Sequence, residues 1–263
     1  MRRETGDVHT FRSGGQTVTT AGDTCVGNRY PANFDVLHVD AGLPFVAVAD
    51  GMGGGRGSAV AGRTALDTLV EQVRAAGPGA GPERLRAAVE LAQDRVLAAG
   101  AELGELTGCT LTALLADPER THGWIVQVGD SRAYRLRGEL LELLTVDHTA
   151  AWLGLLYGWF APDSPEAHAA RYRLTRFVGH PDRPEPDLLQ VSLRPGDVYL
   201  LCTDGVAEQV DYQRLGELLR AAREEDPAQV LHRMMADTLA AGGADNATAA
   251  ILRVAGPGGA HRR

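Results

Sequence analysis

Apolar residues recur along the chain in two rhythms. Phe45-Val46-Ala47-Val48-Ala49 is a short continuous apolar run, the pattern of a strand buried on both faces. It stops abruptly at Asp50-Gly51-Met52-Gly53-Gly54-Gly55, a glycine turn. From about Ser58 the period lengthens, and Leu66, Leu69, Val70 and Val73 recur at helical spacing until Gly77-Pro78-Gly79. Pro82 opens a second helix with Leu85, Val89, Ala92, Val96 and Ala99 as its stripe and Gly100 as its stop. Further strands are predicted over 18–21, 34–39, 110–115, 124–128, 133–136 and 140–144, with a hairpin turn at Arg137-Gly138. Residues 198–202 form another apolar strand, ending in Thr203-Asp204-Gly205. Two helices then carry Leu215, Leu218 and Leu219, and Val230, Leu231 and Met234, before a last strand over 249–254. Residues 149–173 read as irregular, aromatic and punctuated by proline.

The element order is strands, two helices, strands, two helices, strand. Strict βαβ alternation is absent, so the pattern predicts an α+β fold with antiparallel sheets and helices packed outside. The chain of 263 residues is long enough for one full core, expected over 16–254, with residues 1–15 and 255–263 as flexible termini.

Composition narrows the chemistry. The 26 basic residues are all arginine, and with 34 Asp and Glu they leave a net charge of -8. A chain without lysine has no P-loop lysine, kinase lysine or Schiff-base lysine. It shows no global basic footprint for nucleic acid. Cys25, Cys109 and Cys202 are far apart and form no CxxC pair, so neither a disulfide framework nor a zinc-thiolate site is expected. The start, Met1-Arg2-Arg3-Glu4, lacks a signal-peptide apolar stretch, and the longest apolar-looking run, 150–161, is too short to span a membrane. These features point to a cytoplasmic protein without an anchor.

Asp50, Asp130, Asp204 and Asp245 each sit in a turn at the end or start of an apolar strand. Alone, each is an ordinary turn residue capping backbone amides. Together they can converge on one rim, where carboxylates need cations. A set of hard oxygen ligands without Cys or His selects Mg²⁺ or Mn²⁺. Two such ions can hold and deprotonate a bridging water for attack on phosphorus. A phosphate dianion approaching such a site needs an arginine as well, for its bidentate fork. No Cys-x5-Arg loop is present: position 31 after Cys25 is Pro, 115 after Cys109 is Leu, and 208 after Cys202 is Glu.

The motifs 48–54, Gly108-Cys109-Thr110-Leu111, Val128-Gly129-Asp130-Ser131-Arg132-Ala133-Tyr134, Asp147-His148, Leu201-Cys202-Thr203-Asp204-Gly205 and Ala244-Asp245-Asn246-Ala247-Thr248 occur in that order. Their identity and spacing resemble the metal-dependent PP2C (PPM) protein phosphatases in their compact bacterial form, over about residues 16–254. The resemblance implies a four-layer αββα sandwich of two antiparallel sheets flanked by helix pairs. It implies hydrolysis of protein phosphoserine and phosphothreonine with two Mg²⁺ or Mn²⁺ ions and a weaker third. It gives Asp50 the bridge between two metals, with the Gly51 carbonyl completing one shell. Asp204 and Asp245 hold the other metal, and Asp130 with Asp204 the third. Arg29 resembles the phosphate-binding arginine, and Asp35 the carboxylate that holds metal waters. Here the chain departs from the pattern: the gap after Arg29 is one residue longer, and Phe34 replaces an acidic or amide residue.

His148 is readable as a proton donor to the leaving alkoxide or as a structural histidine paired with a carboxylate. Arg132 and Arg176 read as structural ion-pair partners, and Cys109 and Cys202 as core residues. The dense apolar set Trp152, Leu153, Leu155, Leu156, Tyr157, Trp159 and Phe160 admits three readings: a lid or docking surface, a dimer contact, or a helix packed into the core. The implied partners are phosphorylated proteins and a separately encoded Ser/Thr kinase, with no nucleic acid and no membrane. The alternative is a weak pseudophosphatase acting as a binding module, for which the altered 29–35 segment is the one feature.

Overall fold

Phe45–Ala49 is a strand with no exposed face. Val46 and Val48 point to one side; Phe45, Ala47 and Ala49 point to the other. That two-sided burial recurs through the molecule, a computed structural model describing residues 4–5, 8–13, 15–77, 79–117 and 119–256. The strands are β1 (Glu4–Thr5), β2 (His9–Ser13), β3 (Gln16–Cys25), β4 (Val36–Val39), β5 (Phe45–Ala49), β6 (Leu111–Asp117), β7 (His122–Val128), β8 (Arg132–Arg137), β9 (Leu140–Leu143), β10 (Asp187–Ser192), β11 (Val198–Cys202) and β12 (Ala247–Ala255). The helices are α1 (Arg56–Ala76), α2 (Pro82–Leu103), α3 (Ala150–Leu156), α4 (Pro165–Ala170), α5 (Asp204–Ala207), α6 (Tyr212–Ala221) and α7 (Pro227–Ala240).

Two antiparallel sheets result. One has five strands in the order β10-β7-β6-β5-β4. The other has seven, in the order β1-β3-β12-β11-β8-β9 with β2 added to β3. Val46, Val48, Leu114 and Ile125 of the first sheet meet Tyr199, Leu201, Ala250 and Leu252 of the second in a central apolar layer. The outer face of the five-stranded sheet packs Ala47, Leu111 and Val126 against Leu66, Leu69, Leu85 and Val89 of α1 and α2. The outer face of the seven-stranded sheet packs Leu200, Cys202 and Ile251 against Leu215, Leu219, Leu231 and Met234 of α6 and α7. The order is therefore helices, sheet, sheet, helices, the four-layer sandwich. Each fully buried Leu or Val contributes about 1.5–3 kcal/mol, so three such layers dominate the stability.

Register brings the acidic turns to one rim. Val36 pairs with Ala49, so Asp35 before β4 lies beside Asp50 after β5. Cys202 pairs with Arg132 on one side and Ala249 on the other. This sets Asp204 after β11 near Asp130 before β8 and Asp245 before β12.

Several boundaries differ from the expectations. His9–Ser13, inside the stretch expected to be a flexible terminus, pairs with β3; Thr10, Arg12 and the adjoining Gly residues carry no apolar alternation to announce it. The tail expected to be flexible lies outside the described residues from 257 onward. α2 runs past Gly100 to a left-handed cap at Gly104, φ 68°. β4 starts at Val36 rather than Phe34, because the backbone N–H of Phe34 donates to the Asn246 side chain instead of a strand. β10 was not anticipated; it is an edge strand whose residues are largely exposed. Residues 149–173 hold two short helices rather than irregular chain, capped by Thr149 and Ser164.

The apolar set of residues 152–160 is not packed into the core. Trp152, Leu155, Leu156, Tyr157 and Trp159 are exposed, from 40% for Leu155 to 66% for Trp159, while Leu153 and Phe160 are half-buried. Only Ala151 and Gly154 of α3 are buried, and the Phe160 ring lies against Gly154, filling the place of a side chain there. No helix among the described residues is long and apolar enough to cross a membrane.

Candidate active site

The glycine turn after β5 is strapped into place from three sides. Ser58 Oγ donates to the Met52 carbonyl, Met52 N–H donates to Gly108 O at 2.9 Å, and Thr110 N–H donates to Asp50 O at 2.8 Å. Gly51 has no room for a side chain: a Cβ there would lie 2.5 Å from the Ser58 carbonyl oxygen and 2.8 Å from that of Phe34. The turn at Gly129-Asp130-Ser131 is tied to the same strand β6. Ser131 Oγ and Thr110 Oγ1 are 2.7 Å apart, and Thr112 Oγ1 donates to Ser131 O at 2.8 Å. Ser131 is wholly buried in this strap, which leaves it no role as a nucleophile.

Five carboxylates share the rim. The carboxyls of Asp50 and Asp204 lie close enough to act on each other, an arrangement that a cation would relieve. Burial, then the charges of Asp35, Asp204 and Asp130, hold the Asp50 carboxyl well above the usual range. Asp130 is raised by burial and then by Asp204 and Asp147, and Asp204 by burial and then by Asp245. Asp35, 8% exposed, is raised by burial although Thr203 Oγ1 donates to it at 2.9 Å. Asp245 is raised by burial; its Oδ1 accepts the Asn246 N–H at 2.7 Å, and the Arg29 charge draws it down.

The donor set fits divalent cations. Among the described residues Asp204 Oδ1 is buried with no hydrogen-bond partner, which leaves a lone-pair donor uncommitted. Among the described residues no three or more His, Cys, Asp or Glu side chains are drawn together tightly enough to hold a metal ion by themselves. The ligands offered are instead separate carboxylates on converging turns, a geometry suited to ions that share ligands and keep waters.

Residues 32–252 match the protein phosphatase 2C family. The chain belongs to that family. It is 34% identical over 220 residues to the serine/threonine protein phosphatase PstP of Mycobacterium tuberculosis, covering 82% of this chain and 41% of that protein, so it spans about two fifths of that relative. It is 28% identical to protein phosphatase PhpP of Streptococcus pneumoniae, covering 87% of this chain and 94% of PhpP. Among solved structures, the PPM Ser-Thr phosphatase MsPP of Mycobacterium smegmatis, in complex with cacodylate, superposes with a TM-score of 0.75 at 32% identity, over 89% of this chain and 97% of that one. The PstP catalytic domain in complex with two manganese ions superposes with a TM-score of 0.78 at 30% identity, over 91% and 99%.

Within this PP2C site, the acidic residues expected from sequence do gather: Asp35, Asp50, Asp130, Asp204 and Asp245 feel one another's charge. His148 does not join them as an acid, which corrects that expectation. Its Nδ1 accepts the Gly129 N–H at 3.1 Å, so its proton is on Nε2, which donates to Asp187 Oδ2 at 3.1 Å. Burial keeps the ring pKa below its ordinary value despite Asp187, and neither nitrogen is left to face a leaving group. Arg176 and Arg132 are ion-pair partners, of Asp187 at 2.8 Å and Asp147 at 2.6 Å. Cys109 and Cys202 are fully buried.

Three contributors were not legible beforehand. Thr203 anchors Asp35 across 168 residues of sequence. Asp187 orients His148 from an edge strand that carried no pattern. Tyr30 lies where the charges of Asp245, Asp50 and Asp204 all act on its hydroxyl. None has a local signal, since each is made functional by what lies across the sheet.

Proposed function

We propose that the chain is a Mg²⁺- or Mn²⁺-dependent phosphatase acting on phosphoserine and phosphothreonine in proteins. The observation that carries this reading is the convergence of Asp35, Asp50, Asp130 and Asp204 on one rim, with Asp204 Oδ1 buried and without a hydrogen-bond partner among the described residues. In this reading Asp50 and the Gly51 carbonyl, with Asp204 and Asp245, hold two ions, and Asp130 with Asp204 a weaker third. When bound, the ions lower the pKa of a shared water and offset the charge of the phosphate. Asp35, fixed by Thr203, orients water by accepting hydrogen bonds. Arg29 donates a fork of N–H groups to the phosphate oxygens. His148 positions the Gly129–Asp130 turn.

Every phosphoserine or phosphothreonine is made by a kinase, so the partners are phosphorylated proteins and, upstream, a separately encoded Ser/Thr kinase. The compartment is the cytoplasm, where unpaired cysteines stay reduced. The domain over 16–254 carries the whole reaction.

The test is turnover of a phosphothreonine peptide with Mn²⁺, with chelator, and with Asp204→Asn. Turnover that needs Mn²⁺ and is lost in the variant supports the reading. Metal replete protein without turnover would favour a binding module.

A further inference from the structure

The segment 27–35, which departs from the family spacing in sequence, is anchored at both ends in the structure. Both flanks are fastened to the turn that carries Asp245. At one end Asn28 N–H donates to Gly243 O at 2.6 Å and Asn28 Nδ2 to Gly242 O at 2.8 Å. Gly27 sits so tightly that a Cβ there would be 1.8 Å from the Asp245 carbonyl oxygen. At the other end Phe34 N–H donates to Asn246 Oδ1 at 2.8 Å, and Asn246 Nδ2 donates to Ala32 O at 3.1 Å. With both ends fixed, residues 29–31 form the span between the anchors.

Tyr30 lies within this span. Its ring lies against the glycine turn, where a Cβ on Gly54 would be 3.1 Å from Tyr30 Cε1. It also meets Phe34 edge-on, with ring centroids 6.0 Å apart and planes at 89°. Pro31 disfavours helical backbone at Tyr30. The guanidinium of Arg29 lies over this held ring, its Cζ 5.1 Å from the centroid. Arg29 is exposed and makes no hydrogen bond or ion pair among the described residues, so its five N–H donors are uncommitted. An exposed arginine without a support samples many rotamers, and ordering it costs conformational entropy.

We propose that Tyr30 is a positioning residue for Arg29: its ring, wedged between Gly54 and Phe34, holds the guanidinium at the mouth of the carboxylate cluster, ready for a substrate phosphate. This rests on the phosphatase reading above. It makes the extra residue of this segment part of substrate recognition rather than a defect in it. The phenol hydroxyl is not required; the ring face is.

The experiment uses the full chain with Mn²⁺ and compares wild type, Tyr30→Ala, Tyr30→Phe, Arg29→Ala and the double variant Arg29→Ala/Tyr30→Ala. The readouts are kcat/KM on a phosphothreonine peptide, binding of inorganic phosphate by calorimetry, and ¹⁵N NMR mobility of the Arg29 side chain in metal-free protein. Tyr30→Ala should lower kcat/KM about two- to fivefold, weaken phosphate binding to match, and free the guanidinium. Tyr30→Phe should recover most of the loss. With Arg29 already alanine, removing Tyr30 should cost nothing more. A Tyr30→Ala loss of equal size in the Arg29→Ala background overturns the proposal, as does unchanged guanidinium mobility. Wild-type protein inert toward phosphopeptides would overturn the phosphatase reading; the positioning role would then stand or fall on phosphate binding alone.

Discussion

His148 Nδ1 accepts a hydrogen bond from the backbone N–H of Gly129 at 3.1 Å, and its own N–H donates back to the Gly129 carbonyl at 3.0 Å. Gly129 has φ 108°, and the residue after it is Asp130. The histidine is thus a clamp on the turn that aims a carboxylate. Its other nitrogen is committed to Asp187.

A clamp and a general acid respond differently to the leaving group. We predict that His148→Ala lowers kcat/KM by similar factors on an aryl phosphate and on a phosphothreonine peptide. Loss of a general acid would cost about 10²–10⁴ on the peptide alone, because its alkoxide needs a proton and the phenolate does not. Parallel kinetics on the two substrates decide it. His148→Ala should also lose about 1–3 kcal/mol in urea unfolding, since the Gly129 N–H is left buried and unpaired.

Metal should stabilise the fold as well as enable turnover. Burial, with the charges of Asp35 and Asp204 on Asp50 and of Asp245 on Asp204, holds both in their protonated forms more than ordinary aspartates. A divalent ion relieves this and binds only the folded arrangement. At a hundred times its Kd, Mn²⁺ should add about 2.7 kcal/mol to stability. Thermal melts with and without Mn²⁺ read the gain, and Asp204→Asn should abolish most of it.

Arg29→Ala should cost about 2–4 kcal/mol in kcat/KM, the scale of removing one charge-stabilising donor. Arg29→Lys should recover only part, because an ammonium cannot form the fork. Mn²⁺ affinity measured alongside should stay near wild type; a loss explained by metal affinity alone would take Arg29 out of the phosphate site.

The acid limb of stability should include Asp40, far from the site. Its side chain is 1% exposed. Burial alone would raise its pKa, but donors from Gly42 N–H, His38, Arg74 and Leu43 N–H more than offset this, and the value is lowered. The folded protein therefore binds this proton less readily than the unfolded chain. The contribution is complete above the unfolded value, near 3.8, and is lost as pH falls through the folded one. Urea midpoints of wild type and Asp40→Asn should differ at about pH 7 and converge toward about pH 3.

Thiol reagents should leave the folded enzyme active. Cys109 and Cys202 are fully buried, and burial pushes both thiols up, Cys202 to about 12. Neither offers a thiolate near neutral pH. Activity after treatment of native protein with iodoacetamide, against protein treated while unfolded, tests this.

Much of the molecule follows from sequence because its signals are local. The uninterrupted run Phe45–Ala49 must be a strand covered on both faces, and the stripe from Leu66 to Val73 must be a helix covered on one. Those periodicities, taken in order, call for helices outside paired antiparallel sheets. The aspartates at the strand ends are likewise visible, because a turn after an apolar strand is where a carboxylate can reach a rim. Other features have no such signal. His148 reads equally as acid or clamp until Gly129 and Asp187 are seen on its two nitrogens. The aromatic residues of α3 and the turn after it read as lid, dimer contact or core alike, and only the folded helix shows that Ala151 and Gly154 alone in α3 are buried. Arg29 and Tyr30 are neighbours in any conformation, but the stacking depends on Gly54 and Phe34, and on a loop fastened at both ends to the turn of Asp245. Periodicity reports how each segment divides water from core; which side chains then meet across sheets and turns is decided by register and packing, and those exist only once the chain has folded.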